Sequence, residues 1–409
     1  MVMGLIVQKY GGTSVGDADR IRAVADHVAR TKRGGQQVVV VVSAMGKSTD
    51  DLIRLADQVS PTRPPRELDM LLTAGERISM ALLCMALADR GVKSASFTGS
   101  QAGIITTSEH TRAKILEMNP IRVRDALDAG LTPVVAGFQG VSKELNITTL
   151  GRGGSDVTAV AMAAALGADV CEIYTDVTGV FSADPRVVSR ARRLPKVSFN
   201  EMMEISATGG RVLMLRSVEF ARRHGVPLHV RSSFTWEPGT WIVEEDPTME
   251  EAVVTAVTDD TSEAKITVGG CPDRPGVAAR LFRELSDRGV NVDMIVQNTA
   301  ENGLTDISFT VAKTDAADAQ RACDAVREEL GAQKVTADAG IGRVTLVGAG
   351  MKSHPGVTAQ MFETLSSHGI NIEMISTSSI RISCVVRAER VEEAVIALHT
   401  AFGLDAVAP

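Results

Sequence analysis

Four loops hold residue types able to handle phosphate and a small charged molecule. Lys9-Tyr10-Gly11-Gly12-Thr13-Ser14 follows the apolar run Leu5-Ile6-Val7. Glycines there let backbone amides approach phosphate oxygens, the lysine brings a point charge, and a helix starting beyond adds its positive dipole end. Ser43-Ala44-Met45-Gly46-Lys47-Ser48-Thr49 contains Gly-Lys-Ser, but a P-loop needs another glycine five residues earlier and Val41 stands there. Thr148-Thr149-Leu150-Gly151-Arg152-Gly153-Gly154-Ser155-Asp156 precedes an alanine-rich stretch, with Ser155 or Asp156 where an N-cap belongs. Capping does not explain an arginine held between glycines, whose planar fork suits a carboxylate or phosphate. The fourth loop runs from Tyr174-Thr175-Asp176 through Gly179-Val180-Phe181 to Asp184-Pro185-Arg186, and its turn residues alone mean little.

The elements that would carry these loops alternate over the first 230 or so residues. Leu5–Val7 and 37–42 are short β-branched runs closed by polar or turn residues, as strands buried on both faces should be. Between them, 21–31, 70–89, 121–128 and 157–166 show apolar residues at three and four spacing, and glycines at 91, 130 and 167 stop three of these helices. Such alternation predicts a mostly parallel sheet, whose ligand crevice lies at the carboxyl ends of its strands.

With 409 residues, 44% hydrophobic and 23% charged, the chain can bury two or three cores. Its net charge of −7 argues against nucleic-acid and membrane partners, because both present polyanionic surfaces. The basic cluster Arg190, Arg192, Arg193 and Lys196 reads as a solvated face or a phosphate contact. Five dispersed cysteines, without CxxC or a nearby histidine, read as buried hydrophobes of a reducing compartment. With no basic leader before the first strand and no uninterrupted apolar run of spanning length, a cytoplasmic location is expected.

The last 150 or so residues repeat. Asp273-Arg274-Pro275-Gly276-Val277 and Asn291-Val292-Asp293-Met294-Ile295 return as His354-Pro355-Gly356-Val357 and Asn371-Ile372-Glu373-Met374-Ile375, an offset of 80 that Phe282/Phe362, Leu285/Leu365 and Gly289/Gly369 share. A Pro-Gly turn, a helix with a glycine stop and a strand starting at Asn291 or Asn371 make a small α+β module, and two such modules should pack together.

Lys9 to Ser14, Thr73-Ala74-Gly75-Glu76-Arg77, Gly151 to Asp156, Asp176 to Val180 with Asp184 to Arg186, and the tandem tail resemble aspartate kinase nearly end to end. The resemblance implies an α/β amino-acid kinase fold over 1–245, then two ACT domains of ferredoxin-like βαββαβ type over 262–340 and 341–409. It is nearest the short single-function form inhibited by lysine and threonine together, not the form fused to homoserine dehydrogenase. The implied reaction makes ADP and 4-phospho-L-aspartate from ATP and L-aspartate. Alternatives are an amino-acid kinase acting on glutamate and a non-catalytic amino-acid sensor. By resemblance, Lys9 lies against the transferring phosphoryl group while Gly11 and Gly12, with Tyr10, line the phosphates. Arg152 takes the substrate α-carboxylate and Glu76 its ammonium, unless Glu76 is a helix-surface acid. Ser43 and Thr49 add hydroxyls, Gly153, Gly154 and Ser155 line the turn, and Asp156 orders Lys9 or the metal-bound phosphates, unless it is only a cap.

Thr175, Asp176, Phe181, Arg186 and Arg211 are implied for the nucleotide, although Phe181 and Arg211 replace the family's usual Tyr and Lys. Mg2+ is expected on phosphate oxygens and water, with no protein ligand assigned. For effectors the resemblance implies Asp273, Gly276, Val277, Ala278, Asn291, Val292, Asp293 and Gln297, with Val357, Thr358, Asn371, Ile372, Ser378 and Ser379 in the second repeat. Ser379 replaces the usual Glu, leaving effector identity open. A homo-oligomer is implied, or a hetero-oligomer with a regulatory fragment begun at Met249, which an ordinary internal methionine would explain as well.

Overall fold

The run Val38-Val39-Val40-Val41-Val42 is buried throughout, as a strand covered on both faces must be. In the computed structural model, which describes residues 4–235, 237–245, 253–299 and 303–405, it is the core of an eight-stranded sheet. In spatial order the strands are Lys196–Ser198, Thr240–Val243, Leu228–Ser232, Val170–Thr175, Leu5–Tyr10, Gln37–Val42, Thr132–Ala136 and Ser94–Phe97. Every neighbouring pair is parallel except Leu228–Ser232 with Thr240–Val243. One sheet face packs Tyr10, Val38, Val40 and Val42 against Ile21, Val24 and Val28 of the helix Ala18–Arg33. A smaller four-stranded sheet runs Ile115–Met118, Ile104–Thr106, Gln139–Ser142, Ile147–Thr149.

The periodic stretch 70–89 is two helices, Pro65–Leu72 and Ala74–Ala88, interrupted at Thr73. Together they are long and apolar enough to cross a membrane by composition, yet half of that stretch is buried within the protein and it contains the buried carboxylates Asp69 and Glu76. Apolar periodicity runs through the break because Thr73 keeps a helical backbone, with φ −63° and ψ −12°.

Two compact units divide the chain: Met1–Val180 with Arg193–Ser206 and Arg211–Pro247, and Phe181–Arg192 with Ala207–Gly210 and Thr248–Pro409. Within the second, the strands Glu263–Pro272, Ile295–Thr299, Leu304–Ala312 and Lys334–Asp338, with helices Val277–Asp287 and Ala316–Leu330, form a βαββαβ module. The strand begins at Ile295 rather than Asn291, and its repeat partner at Met374 rather than Asn371. Met294, just ahead of the first of these strands, is drawn into the core without ladder pairing, whereas its repeat partner Met374 is buried and pairs with Val385.

The second module has a different chain path. Its sheet is Ala256–Asp260, Ile341–Val347, Arg381–Arg387, Met374–Thr377 in spatial order, so its edge strand comes from ahead of the first module, outside 341–409. Val257 enters the same core as Val344, Leu346, Met361 and Leu398. Met294 and Val296 of the first module meet Ile341, Met374 and Val385 of the second, joining the two repeats through an apolar contact. Cys84 is half-buried and the other four cysteines are buried, all five unpaired.

Met249 lies outside the described residues, but seven positions separate it from Ala256 in sequence. A fragment starting at Met249 therefore keeps the edge strand, and one starting at Ser262 loses it. The shorter fragment should melt about 6–12 °C lower by circular dichroism, if about 3 kcal/mol of strand packing is lost. Equal melting temperatures would show the strand to be dispensable.

Candidate active site

Alternation along the Leu5–Tyr10 strand separates neighbouring side chains onto opposite faces of the sheet. Lys9 and Tyr10 are the last residues of this strand, not a loop beyond it. Tyr10 is buried against Tyr174, the rings stacked 4.8 Å apart, and its hydroxyl donates to Gln8 Oε1. Its side chain is core, so the expected nucleotide contact is open only to its backbone.

Lys9 faces the helix Gly154–Leu166 on the other side, with Nζ 2.6 Å from Asp156 Oδ1. Both side chains are about nine-tenths buried, and charges this deep need a partner. Gly153, in the left-handed conformation with φ +66°, is the helix N-cap, and no side chain caps the helix. Thus neither Ser155 nor Asp156 caps; Asp156 stands in the first turn, where the dipole favours a negative charge, and spends that charge on Lys9. A side chain at Gly153 would put its Cβ 2.0 Å from Met214 Cγ, so space and backbone both demand glycine. Gly154 is equally enclosed, by Leu150 and Phe138, and Ser155 is buried against Gly137. Arg152 is exposed, and no hydrogen bond or ion pair engages it among the described residues.

The Gly11 amide donates to Tyr174 O at 3.1 Å, which commits it to the fold rather than to a phosphate. Gly12 opens the helical turn Gly12–Val15, where amides lack intrahelical partners. Gly12 O accepts from Gly46 N and Tyr10 O from Ser43 N, tying the second loop to the first. Ser43 is half-buried there, and Thr49 is the second residue of the helix Ser48–Val59.

Glu76 lies in the first turn of Ala74–Ala88 and is 3% exposed, so it is not a helix-surface acid. Its Oε1 accepts from Ala44 N at 3.2 Å, while Oε2 is buried without a partner. Burial pushes this carboxyl up to about 7 against the opposing pull of the amide bonds. A cation delivered to Oε2 would satisfy that oxygen and restore the charge.

Thr175 ends the Val170–Thr175 strand and donates to Asp176 Oδ1; Asp176 and Arg211 are exposed. Phe181 and Arg186 belong to the second unit, where the largely exposed Arg186 pairs with Asp184. Of the basic cluster, Arg190 lies 3.9 Å from Asp405 and Arg193 donates to Gly239 O.

Sequence reading missed two arrangements. Ser14 Oγ donates to Ser233 Oγ, which donates to Thr175 O, stitching three strand ends together. On the Tyr10 face, Glu172 accepts from Gln8, Tyr174 and Arg231. Burial would raise its carboxyl, but bonds from His229 and Gln8 with the Arg231 charge outweigh it and hold it at about 2. Beside it, burial lowers His27 to about 4. An acid within the apolar run Val170-Cys171-Glu172-Ile173 was the available signal.

Among the residues implied for effectors, Val277 and Val357 are core side chains, leaving only their backbone to a ligand. Gly276 has φ +100° at the N-cap of Val277–Asp287. Asp273, Asn291, Gln297, Asn371, Ser378 and Ser379 are exposed, while Ala278, Val292, Thr358 and Ile372 are half-buried. Asp293 is partly exposed and pairs with the buried Arg343, which also lies 2.9 Å from Glu263. Among the described residues no cluster of three or more His, Cys, Asp or Glu is arranged to hold a metal ion.

Residues 4–232 match the amino acid kinase family, and 264–331 and 344–402 each match the ACT domain. The aspartokinase of Mycobacterium tuberculosis is 58% identical, over 98% of this chain and 97% of its own length. The chain belongs to the aspartokinase family. Its fold is similar to E. coli aspartokinase III in complex with aspartate and ADP in the R-state, with TM-score 0.84, 26% identity and coverage of 97% and 99%. For that enzyme with lysine and aspartate in the T-state the TM-score is 0.75, at the same identity and coverage. This aspartokinase therefore joins an amino-acid kinase domain to two ACT domains.

The raised Glu76 carboxyl has a thermodynamic sign. Because the folded state holds this proton more tightly than the unfolded chain, the group costs stability as pH rises from about 4.5 to about 7. Glu76→Gln should therefore stabilise the ligand-free aspartokinase more at pH 8 than at pH 5, by about 2 kcal/mol in urea unfolding. A pH-independent difference would mean that Glu76 titrates normally.

Proposed function

We propose that this aspartokinase transfers the γ-phosphoryl group of ATP to the side-chain carboxylate of L-aspartate, giving ADP and 4-phospho-L-aspartate, in the cytoplasm. The carrying observation is Lys9, a buried ammonium held 2.6 Å from Asp156 at the carboxyl end of a parallel strand, beside the Gly12 turn. Aspartate's carboxylate has an ordinary pKa of ~3.9, so it arrives ionised and needs no base. What the reaction needs is charge neutralisation between an anionic nucleophile and an anionic donor. Lys9 would supply it, and Asp156 would keep Lys9 aimed while the site is empty.

Glu76 and Arg152 would take the two ends of the amino acid, Glu76 Oε2 receiving the ammonium and the unengaged Arg152 fork the α-carboxylate. Ser43, Thr49, Gly153, Gly154 and Ser155 would complete this pocket. Gly12, Thr175, Asp176 and Arg211 would serve the nucleotide on the remaining strand ends, and the family resemblance implies Phe181 and Arg186 for the same ligand. The aspartate and ADP held by E. coli aspartokinase III support this reading. The chemistry Mg2+ would supply when bound is neutralisation of the donor's phosphate charge. The residues fit a mostly phosphate- and water-bound ion, with Asp156 as the nearby buried carboxylate.

The catalytic domain would span 1–245 and the ACT domains 262–340 and 341–409, binding lysine and threonine together as feedback inhibitors at the head of the route to lysine, threonine and methionine. The lysine complex of the E. coli enzyme supports one of these effectors. Backbone and polar groups around Asp273, Gly276, Asn291, Asp293 and Gln297, with their counterparts at Thr358, Asn371 and Ser378, would form sites in an oligomer of whole chains, or of chains with a fragment begun at Met249.

Hydroxamate trapping of the acyl phosphate, with Mg-ATP and L-aspartate, tests both halves. Turnover of aspartate but not glutamate is expected, suppressed strongly only when lysine and threonine are both present. Lys9→Met should lower kcat at least about 1000-fold, since several kcal/mol of charge stabilisation disappear. Near-normal turnover by this variant would remove Lys9 from the chemistry, and inhibition by lysine alone would remove threonine from the regulation.

A further inference from the structure

Asp69 is a fully buried carboxylate outside the site described above, on the helix Pro65–Leu72. A carboxylate at such depth is costly unless hydrogen bonds satisfy it. Its partners all come from the two segments beside Arg152. Thr149 Oγ1 donates to Oδ1 at 2.6 Å, Thr111 N donates to both oxygens at 3.1 Å, and His110 Nδ1 lies 2.7 Å from Oδ2.

These partners form one cradle. Ala113 N donates to Thr149 O at 2.9 Å, joining the 110–113 turn to the strand that leads into Gly151. Thr111 is left-handed, with φ +66°, a strained conformation for a β-branched residue. A Cβ on Gly151 would stand 3.2 Å from Thr111 O, so the turn presses directly on the residue before Arg152. From the opposite side Arg216 clamps the same pair of segments, donating to Leu150 O at 2.9 Å and Ala113 O at 3.1 Å. Asp69, Thr149 and Arg216 are thus engaged around the loop, while among the described residues no hydrogen bond or ion pair engages Arg152 at its tip.

Asp69 also connects this loop to Glu76. The helices Pro65–Leu72 and Ala74–Ala88 meet at Thr73, whose carbonyl accepts from Gln139 Nε2 at 3.3 Å. The helix pair that carries Glu76 is therefore tied by Asp69 to the strand that leads into the Arg152 loop. We infer that Asp69, acting through Thr149 and the Thr111 turn, is a positioning residue that fixes the separation between Glu76 and Arg152 and so selects an α-amino acid by its ammonium-to-carboxylate spacing. This rests on the proposed roles of Glu76 and Arg152. Asp69 touches neither substrate nor phosphate; it sets where the two recognising charges stand.

Initial-rate kinetics on the full-length enzyme, with Asp69→Asn, Thr149→Val, Thr149→Ser and Arg152→Ala, provides the test. Asp69→Asn points an amide at groups that donate, and Thr149→Val removes one donor at constant shape. Both should raise KM for L-aspartate at least about tenfold, leaving KM for Mg-ATP and kcat within about threefold, and Thr149→Ser should restore the wild-type KM. If Asp69→Asn does not fold, Thr149→Val against Thr149→Ser carries the test alone. The positioning role is overturned if Thr149→Val leaves KM for aspartate unchanged, if both Michaelis constants rise together, or if Thr149→Ser fails to rescue. Arg152→Ala separates the two levels. A raised aspartate KM there alongside a normal one in Thr149→Val defeats only the positioning role; an unaltered KM in Arg152→Ala defeats the assignment of Arg152, and the positioning role with it.

Discussion

The ion pair between Lys9 and Asp156 is the constraint around which the kinase domain is arranged. Two charges so deeply buried are expensive to desolvate, and their mutual attraction offsets that cost only when both are held in place. Both are. Lys9 is fixed by parallel pairing on its two sides, opposite Val41 and Ile173, and Asp156 by a helix whose start cannot shift because Gly153 fills the only conformation and space Met214 allows. In the proposed reaction, a phosphoryl group reaching Lys9 would meet an ammonium already desolvated and already aimed. Little reorganisation remains to be done when charge moves during transfer, which is where such sites gain their advantage over water.

The opposite face of the same sheet explains why the strand ends stay in register. Gln8, Glu172, Tyr174 and Arg231 form a satisfied polar network beneath the Tyr10 ring. Networks of this kind rigidify when every member has a partner, and Glu172, held ionised near 2, remains an acceptor at any physiological pH. Alternation thus gives one strand two duties: Gln8 and Tyr10 lock it from below and Lys9 pairs with Asp156 above.

Much of this was legible beforehand because the informative residues are local. Glycine-rich turns after apolar runs, an arginine between glycines and an 80-residue repeat are all visible in sequence, and the parallel sheet followed from alternating periods. What stayed hidden was long-range partnership. From the residues alone Asp156 reads as a cap, and only the family resemblance paired it with the distant Lys9; the alternative of a surface acid at Glu76 stayed open until Ala44 N was seen to bond its buried Oε1. The 70–89 stretch conceals its break because Thr73 keeps helical dihedrals. The edge strand of the second ACT module was not read from the repeat, because it lies ahead of the first copy, outside the 262–409 span expected to hold both modules.

That misplaced strand bears on how regulation is transmitted. Arg343 is buried in the second module, yet pairs with Asp293 and Glu263 of the first and lies 3.8 Å from Asp260 of the inserted edge strand. Three carboxylates around one guanidinium leave an excess of negative charge; burial, despite Arg343 and with Asp293 and Asp260 adding to it, raises Glu263 to about 7. The same guanidinium donates to Ala207 O at 3.1 Å. Asp293, partly exposed, is the member of this cluster that a ligand could reach, and any ligand bonding it competes with Arg343. Ala207 is the C-terminal residue of the helix Phe199–Ala207 and is followed within four residues by Arg211. A change in how Arg343 divides its bonds therefore reaches both repeats and the inserted strand at once, and a ligand could shift that division only by binding its two arrangements differently.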